Sequence, residues 1–108
     1  MDIQSNGYYT EILNRVSPAI KLMARAIKNG SDPGNYDIPI TASIRKMQQD
    51  GVDVGRMKAY LSDAIDYTLI DNPSIQDKDY KIQNRLTVLI NRNVDYQTSL
   101  DKGNGLTR

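Results

Sequence analysis

The sequence contains no cysteine and no histidine, and all of its aromatic residues are tyrosines. Without cysteine the chain has no disulfide and no thiolate nucleophile, and without histidine it has no imidazole base or nitrogen ligand for zinc. Most common active-site designs therefore cannot be built from this chain. We expect a protein that is not an enzyme and that binds neither a cofactor nor a metal ion.

An excess of one charge and long hydrophobic runs are also missing. The 14 Lys and Arg residues nearly balance the 13 Asp and Glu residues, so the net charge of +1 creates no strong attraction for nucleic acid or anionic lipid. No apolar run approaches the roughly 20 residues of a membrane-spanning helix, and the polar start from Met1 to Asn6 is unlike a signal peptide. We expect no membrane span and no targeting segment. The composition favours a cytoplasmic location and leaves a secreted or virion-associated one open.

The residues that are present fit one helical domain. The length of 108 residues, with 39% hydrophobic and 25% charged residues, is typical of a single globular domain. Apolar residues recur at helical spacing, and no alternating strand pattern is evident. We predict an all-α bundle with long helices at about 8–28, 54–70 and 75–100, a short helix at about 42–50, a long loop at 29–40 and a flexible tail at 101–108.

Capping residues and helix breakers set these boundaries. Pro18 interrupts the first helical pattern, but the apolar spacing keeps its phase across it, which favours one kinked helix over two separate ones. Gly30 and Gly51 follow the first and the short helix as stop signals. Thr41 and Asp53 are the candidate N-caps of the short helix and of the helix after it.

The last helix carries the strongest pattern. Asn72-Pro73 breaks the chain before it, and Ser74 followed by Asp77 resembles a capping box. The predicted seam has heptad spacing and consists of Ile75, Asp79, Ile82, Leu86, Leu89, Asn93, Tyr96 and Leu100. Such a seam packs either on the protein's own helices or on a partner chain, and both possibilities stay open. The long stripe and the all-tyrosine aromatic set favour self-association into a homo-oligomer.

Two sets of residues are candidates for binding a protein partner. The first set lies on the last helix and comprises Ile82, Leu86, Leu89, Asn93 and Tyr96. The second set lies along the basic side of the first helix and comprises Lys21, Arg25 and Lys28. We predict a protein-interaction module that acts as a small regulator, inhibitor, chaperone or assembly subunit.

A DNA-binding regulator is the alternative from another class. Residues 42 to 66 have the outline of a helix-turn-helix, with a short helix, a glycine corner and a second helix that bears Arg56 and Lys58. Asp63 and Asp66 on the same helix would repel phosphates, so we do not expect nucleic acid binding. These two carboxylates, and Asp77 with Asp79, are the candidate pairs for a metal site or for a carboxylate-dependent enzyme, a third hypothesis, but such pairs usually lie on a solvated helix surface.

Two short segments resemble parts of known assembly proteins. The break Asn72-Pro73-Ser74 between two amphipathic helices is similar to the hairpin of type III secretion needle and inner-rod subunits. Residues 29–35, which follow a long N-terminal helix, resemble the Asp-Thr-Pro-Gly turn of flagellar rod proteins, although Asp32-Pro33 lacks the threonine. These resemblances imply a structural subunit of a secretion, rod or virion assembly as a further alternative.

Overall fold

The computed structural model describes residues 6–106 of the chain, with the side chains of residues 6–100. These residues form no strand and fold into four α helices, α1 (Asn6–Asn29), α2 (Ile38–Gln49), α3 (Val54–Asp71) and α4 (Lys81–Leu106). Short 3-10 helices at Pro33–Tyr36 and Lys78–Tyr80 lie in the connections. The prediction of a small all-α bundle is confirmed.

The two longest helices form the centre of the bundle. α1 and α4 contact each other and both remaining helices, whereas α2 and α3 have few contacts with each other and lie on opposite sides. The fully buried core includes Ile12, Ile20, Leu61, Leu86 and Ile90. Burying one such side chain contributes about 1.5–3 kcal/mol, so apolar contacts between the helices are the main stabilising interaction of the fold.

α1 continues through Pro18, as the phase of its apolar stripe predicts. The backbone nitrogen of Pro18 carries no hydrogen, so the carbonyl of Asn14 lacks its usual helical donor. One residue earlier, the Ser17 hydroxyl donates to the carbonyl of Leu13 at 2.7 Å. α1 ends before Gly30, whose φ of 76° is the left-handed conformation expected of a helix stop.

The prediction for the start of α2 was wrong. α2 begins at Ile38, four residues before the predicted start, so the connection after α1 is shorter than the predicted loop at 29–40. Pro39 lies in the first turn, where its missing N–H would have had no helical partner. Thr41 therefore lies inside the helix and is not its N-cap, and its hydroxyl accepts a hydrogen bond from the Asn93 side chain at 2.9 Å.

The corner between α2 and α3 agrees with the prediction. Gly51 adopts a φ of 81° just after α2. The Asp53 carboxylate caps α3 by accepting a hydrogen bond from the backbone N–H of Arg56 at 2.8 Å. Val52, between these two residues, is buried in the core.

The prediction for the start of the last helix was also wrong, because α4 begins at Lys81 and not at residue 75. The predicted capping box does not form. Asp77 instead caps α4, since its two carboxylate oxygens accept hydrogen bonds from the backbone N–H groups of Ile82 and Gln83 at 2.7 and 3.0 Å. At the other end α4 continues to Leu106, so residues 101–106 of the predicted tail are helical, and 107–108 lie outside the described residues.

The buried stripe of α4 has a spacing of four residues and consists of Ile82, Leu86, Ile90 and Val94. The heptad seam is therefore correct for its first helical members and wrong beyond them. Leu89 and Asn93 are half-buried at the side of the stripe, and Tyr96 and Leu100 are exposed. A seam with heptad spacing suits one supercoiling partner, whereas α4 packs across three other helices of its own chain.

Candidate functional site

An open groove of about 560 Å³ lies where the end of α3 meets the start of α4. We call it the corner groove. It is lined by Asp66, Leu69, Ile70, Pro73, Ile75, Gln76, Asp77, Tyr80 and Gln83. The lining combines a mainly apolar surface with two carboxylates and two amides.

Two large apolar side chains of the corner groove face solvent. Ile70 is 71% exposed and Tyr80 is 69% exposed, and both line the groove together with the core residue Ile75. Ile70 lies on the face of α3 opposite the buried stripe, which includes Leu61 and Ile65. Exposed apolar side chains that line one groove indicate a contact surface more strongly than scattered ones do.

The backbone beside the corner groove is strained. Asp79 and Tyr80 have φ values of 59° and 57°, in the left-handed region that non-glycine residues rarely adopt. Aspartate tolerates this conformation, but for a bulky residue such as tyrosine it costs of order 1–2 kcal/mol. The strain places an exposed tyrosine at the edge of the groove, and strain of this kind is often found at functional sites.

Several interactions hold the strained segment in place. The Asn72 side chain donates to the carbonyl of Thr68 at 2.8 Å, at the end of α3. The Lys28 ammonium of α1 donates to the carbonyl of Ser74 at 2.9 Å. Together with the buried Ile75 and the cap of α4, these bonds fix the corner from both sides.

The electrostatics of the corner groove depend on Asp66 and Asp77. Gln83 connects them, since its side chain donates to Asp66 at 2.7 Å and its backbone N–H donates to Asp77. The charge of Asp77 is offset by the N-terminal dipole of α4. Asp66 lies in the C-terminal half of α3, where the dipole has the opposite sign, and neither carboxylate forms an ion pair with another described residue.

The partner-binding residues predicted on the last helix lie away from this groove. Ile82 and Leu86 are buried in the chain's own core, so a partner would reach them only if the bundle opened. Asn93 is bonded within the chain, to Thr41 and to the side chain of Gln97. Tyr96 is exposed towards the other end of α4. Their role in binding a partner stays a prediction.

The basic candidates on α1 have three different environments. Lys28 is bonded to the carbonyl of Ser74, while Arg25 is exposed to solvent. Lys21 borders a second groove of about 380 Å³ at Pro18, which Asp71 and Thr68 also line. The buried hydroxyl of Thr68 has no hydrogen-bond partner among the described residues. Lys21 and Asp71 border the same groove without forming an ion pair.

The two basic residues of the DNA-binding alternative are not freely exposed. The Lys58 ammonium lies 2.9 Å from the Asp95 carboxylate of α4, and Arg56 is half-buried. The helices of a helix-turn-helix pack on each other, but α2 and α3 have few mutual contacts. Asp63 and Asp66 accept hydrogen bonds from different partners, Tyr9 and Gln83, and the described residues contain no acidic cluster that could hold a metal ion.

Two tyrosines connect α1 to the end of α2 and to the middle of α3. The Tyr8 hydroxyl donates to Asp50 and the Tyr9 hydroxyl to Asp63, both at 2.7 Å. Burial and then these hydrogen bonds to carboxylates raise the pKa of both phenols above the ordinary value of 10.0. The bond from Tyr8 lowers the pKa of the Asp50 carboxyl. These tyrosines serve the packing of α1, in contrast to the exposed Tyr80.

The sequence does not predict the corner groove, because its pattern places residues 75–80 in the last helix. On a helix starting at 75, Ile75 and Ile82 would share one face and Tyr80 would have no special position. One signal was present in the sequence. Ile70 is a large aliphatic residue outside the buried stripe of its helix, and it lies next to the break at Asn72-Pro73.

No helix in the described part of the chain is long and apolar enough to cross a membrane. The chain matches no known protein family, and neither the curated proteins nor the solved structures include one that is significantly similar to it.

Proposed function

We propose that this chain is a non-enzymatic protein-interaction module that binds a segment of another protein in the corner groove. The observation that carries the proposal is the pair of large apolar side chains, Ile70 and Tyr80, which are exposed together at the edge of one groove. A regulator, an inhibitor, a chaperone and an assembly subunit all use such a surface. The absence of histidine and cysteine from the sequence supports binding over catalysis.

The strained backbone supports the same proposal. A chain selected for stability alone would favour glycine or asparagine at a left-handed position, as it does at Gly30 and Gly51. Tyr80 instead keeps a bulky side chain there, and tyrosine is among the residues that contribute most to binding at protein interfaces. The cost in stability is consistent with a benefit in binding.

Peptide selection followed by mapping tests the proposal. A phage-displayed random peptide library is selected on the wild-type chain, and the enriched peptides are then measured by fluorescence anisotropy and by ¹⁵N–¹H shift mapping. We expect the shifts to cluster on residues 66–83. Ile70→Ser should weaken binding about fivefold or more, because truncating an interface anchor typically costs over 1 kcal/mol.

Ile38 provides the matched control. It is an isoleucine on the first turn of α2 that does not line the corner groove, and at 75% it is as exposed as Ile70. Ile38→Ser should leave peptide affinity unchanged. Selected peptides that respond equally to both substitutions, or a library that yields no binder, would refute the proposal.

A further inference from the structure

The charge of the corner groove defines the kind of segment that it accepts. Its apolar lining is flanked by Asp66 and Asp77, and no lysine or arginine is among the lining residues. An apolar side chain that covers an unpaired carboxylate removes it from water, and this desolvation is unfavourable unless the incoming segment supplies a cation or a hydrogen-bond donor. The groove therefore discriminates between segments of equal hydrophobicity.

Of the two acids, Asp66 carries the uncompensated charge. Both oxygens of Asp77 already accept backbone hydrogen bonds at the N-terminus of α4. Asp66 is exposed, and one of its oxygens accepts a hydrogen bond from the neutral amide of Gln83. That bond orients the Asp66 carboxylate next to the groove without neutralising it.

Resting on the function proposed above, we infer that the occupant of the corner groove is an amphipathic segment of a different protein that places an aliphatic or aromatic side chain against Ile70 and Tyr80 and a lysine or arginine against Asp66. The two contacts act together. The apolar anchor supplies most of the affinity, and the cation determines which apolar segments bind.

The peptides selected on the wild-type chain test this inference directly. We expect them to contain a basic residue close to the apolar anchor. Asp66→Asn keeps an acceptor oxygen for Gln83 and removes the charge, so it should lower the affinity for these peptides several-fold. Asp66→Lys should lower the affinity about tenfold. A peptide with glutamate in place of the basic residue should show the reverse order, binding Asp66→Lys better than the wild type.

Asp71→Lys is the control for overall charge. Asp71 is exposed, lies on the same helix and does not line the corner groove, so the substitution changes the net charge equally. Asp71 is not among the groove-lining residues, so its charge acts on a bound peptide from farther away and through water, and Asp71→Lys should cause a smaller loss of affinity than Asp66→Lys. An equal loss in Asp71→Lys and Asp66→Lys would overturn the inference, because it would mean general attraction between opposite charges.

The remaining outcomes separate this inference from the proposed function. The inference would be overturned, and the proposed function retained, by peptides that bind Ile70→Ser more weakly than the wild type but contain no basic residue. The same holds for such peptides if they bind Asp66→Lys as well as the wild type. Peptides that bind without regard to Ile70 would overturn both. Light scattering of the wild-type chain tests whether the occupant is a different protein. Self-association that Asp66→Lys abolishes would show that a second copy of the chain occupies the groove, and it would overturn the inference.

Discussion

The two corners that flank α3 are built in different ways. The corner between α2 and α3 is short, uses Gly51 at its left-handed position, buries Val52 and is capped by Asp53. The corner between α3 and α4 is longer and has two non-glycine residues in the left-handed region. The first has the features of a connection optimised for stability. The second gives up some stability and exposes an apolar surface, which is the expected pattern of a binding site.

The substitution with the largest expected effect tests whether the corner between α3 and α4 is well packed. Ile75 is its buried anchor, with 4% of its surface exposed. Ile75→Ala should lower the free energy of unfolding by about 3 kcal/mol, as typical for truncating a buried isoleucine. Ile70→Ala, at the exposed position nearby, should change it by less than about 0.5 kcal/mol. Urea denaturation measures both, and a small effect of Ile75→Ala would mean that the corner is loosely packed.

The next effect compares the two helix caps. Asp77 accepts two backbone hydrogen bonds and Asp53 accepts one. Asp77→Ala should therefore lower the free energy of unfolding by about 1.5 kcal/mol, and Asp53→Ala by about 1 kcal/mol. Thermal unfolding followed by circular dichroism ranks the two variants. If Asp53→Ala is clearly the more damaging one, the second corner does not depend on its cap as described.

A smaller effect of opposite sign tests the strain at Tyr80. Tyr80→Gly removes the left-handed penalty and loses little burial, so it should raise the free energy of unfolding by about 0.5–1 kcal/mol after the entropy cost of glycine. It should also weaken binding of the selected peptides. Tyr96→Gly is the control, since Tyr96 is exposed within regular helix, and it should lower stability by about 0.5–1 kcal/mol.

A role of Tyr80 in binding requires that the free energy of unfolding rises in Tyr80→Gly and falls in Tyr96→Gly. A loss of stability in Tyr80→Gly similar to that in Tyr96→Gly would mean that the backbone at Tyr80 is unstrained. A gain in stability with unchanged peptide affinity would mean that the strain does not serve the corner groove.

The last prediction concerns the pH dependence of stability at the corner between α2 and α3, and no effect is expected near neutral pH. Tyr8 and Asp50 join α1 to the end of α2. The raised pKa of Tyr8 means that the folded state holds this proton more tightly, so stability should fall as the pH rises above 10.0, the ordinary value. The lowered pKa of Asp50 means that stability should also fall as the pH drops below 3.8, its ordinary value. Urea titrations across pH measure both limbs.

Tyr8→Phe should flatten both limbs, because it removes the phenol and its bond to Asp50 together. Tyr9→Phe should flatten the alkaline limb only, since the bond of Tyr9 goes to Asp63 and its own pKa is raised. Unchanged pH profiles in both variants would contradict the described link between α1 and this corner.

Most of the fold could be predicted from local patterns. Helical spacing, Gly30, Gly51 and the cap at Asp53 located α1, α3 and the corner between α2 and α3. The errors have a common cause. Thr41 and Ser74 are good capping residues, but a potential cap becomes a real one only if the packing of the helix starts there. α2 begins earlier, with Pro39 in its first turn, and α4 begins later, where the Asp77 carboxylate accepts hydrogen bonds from the backbone N–H groups of Ile82 and Gln83.

The sequence by itself determined the helical class and the balance of charge, because hydrophobic periodicity and composition are local properties that survive any choice of packing. It also excluded histidine and cysteine chemistry. Only the tertiary structure decided which apolar residues stay exposed. The late start of α4 turns Tyr80 outwards beside Ile70, and the bond from Gln83 brings the charge of Asp66 to the same groove. These contacts join residues that are up to 17 positions apart, so no local pattern could reveal them.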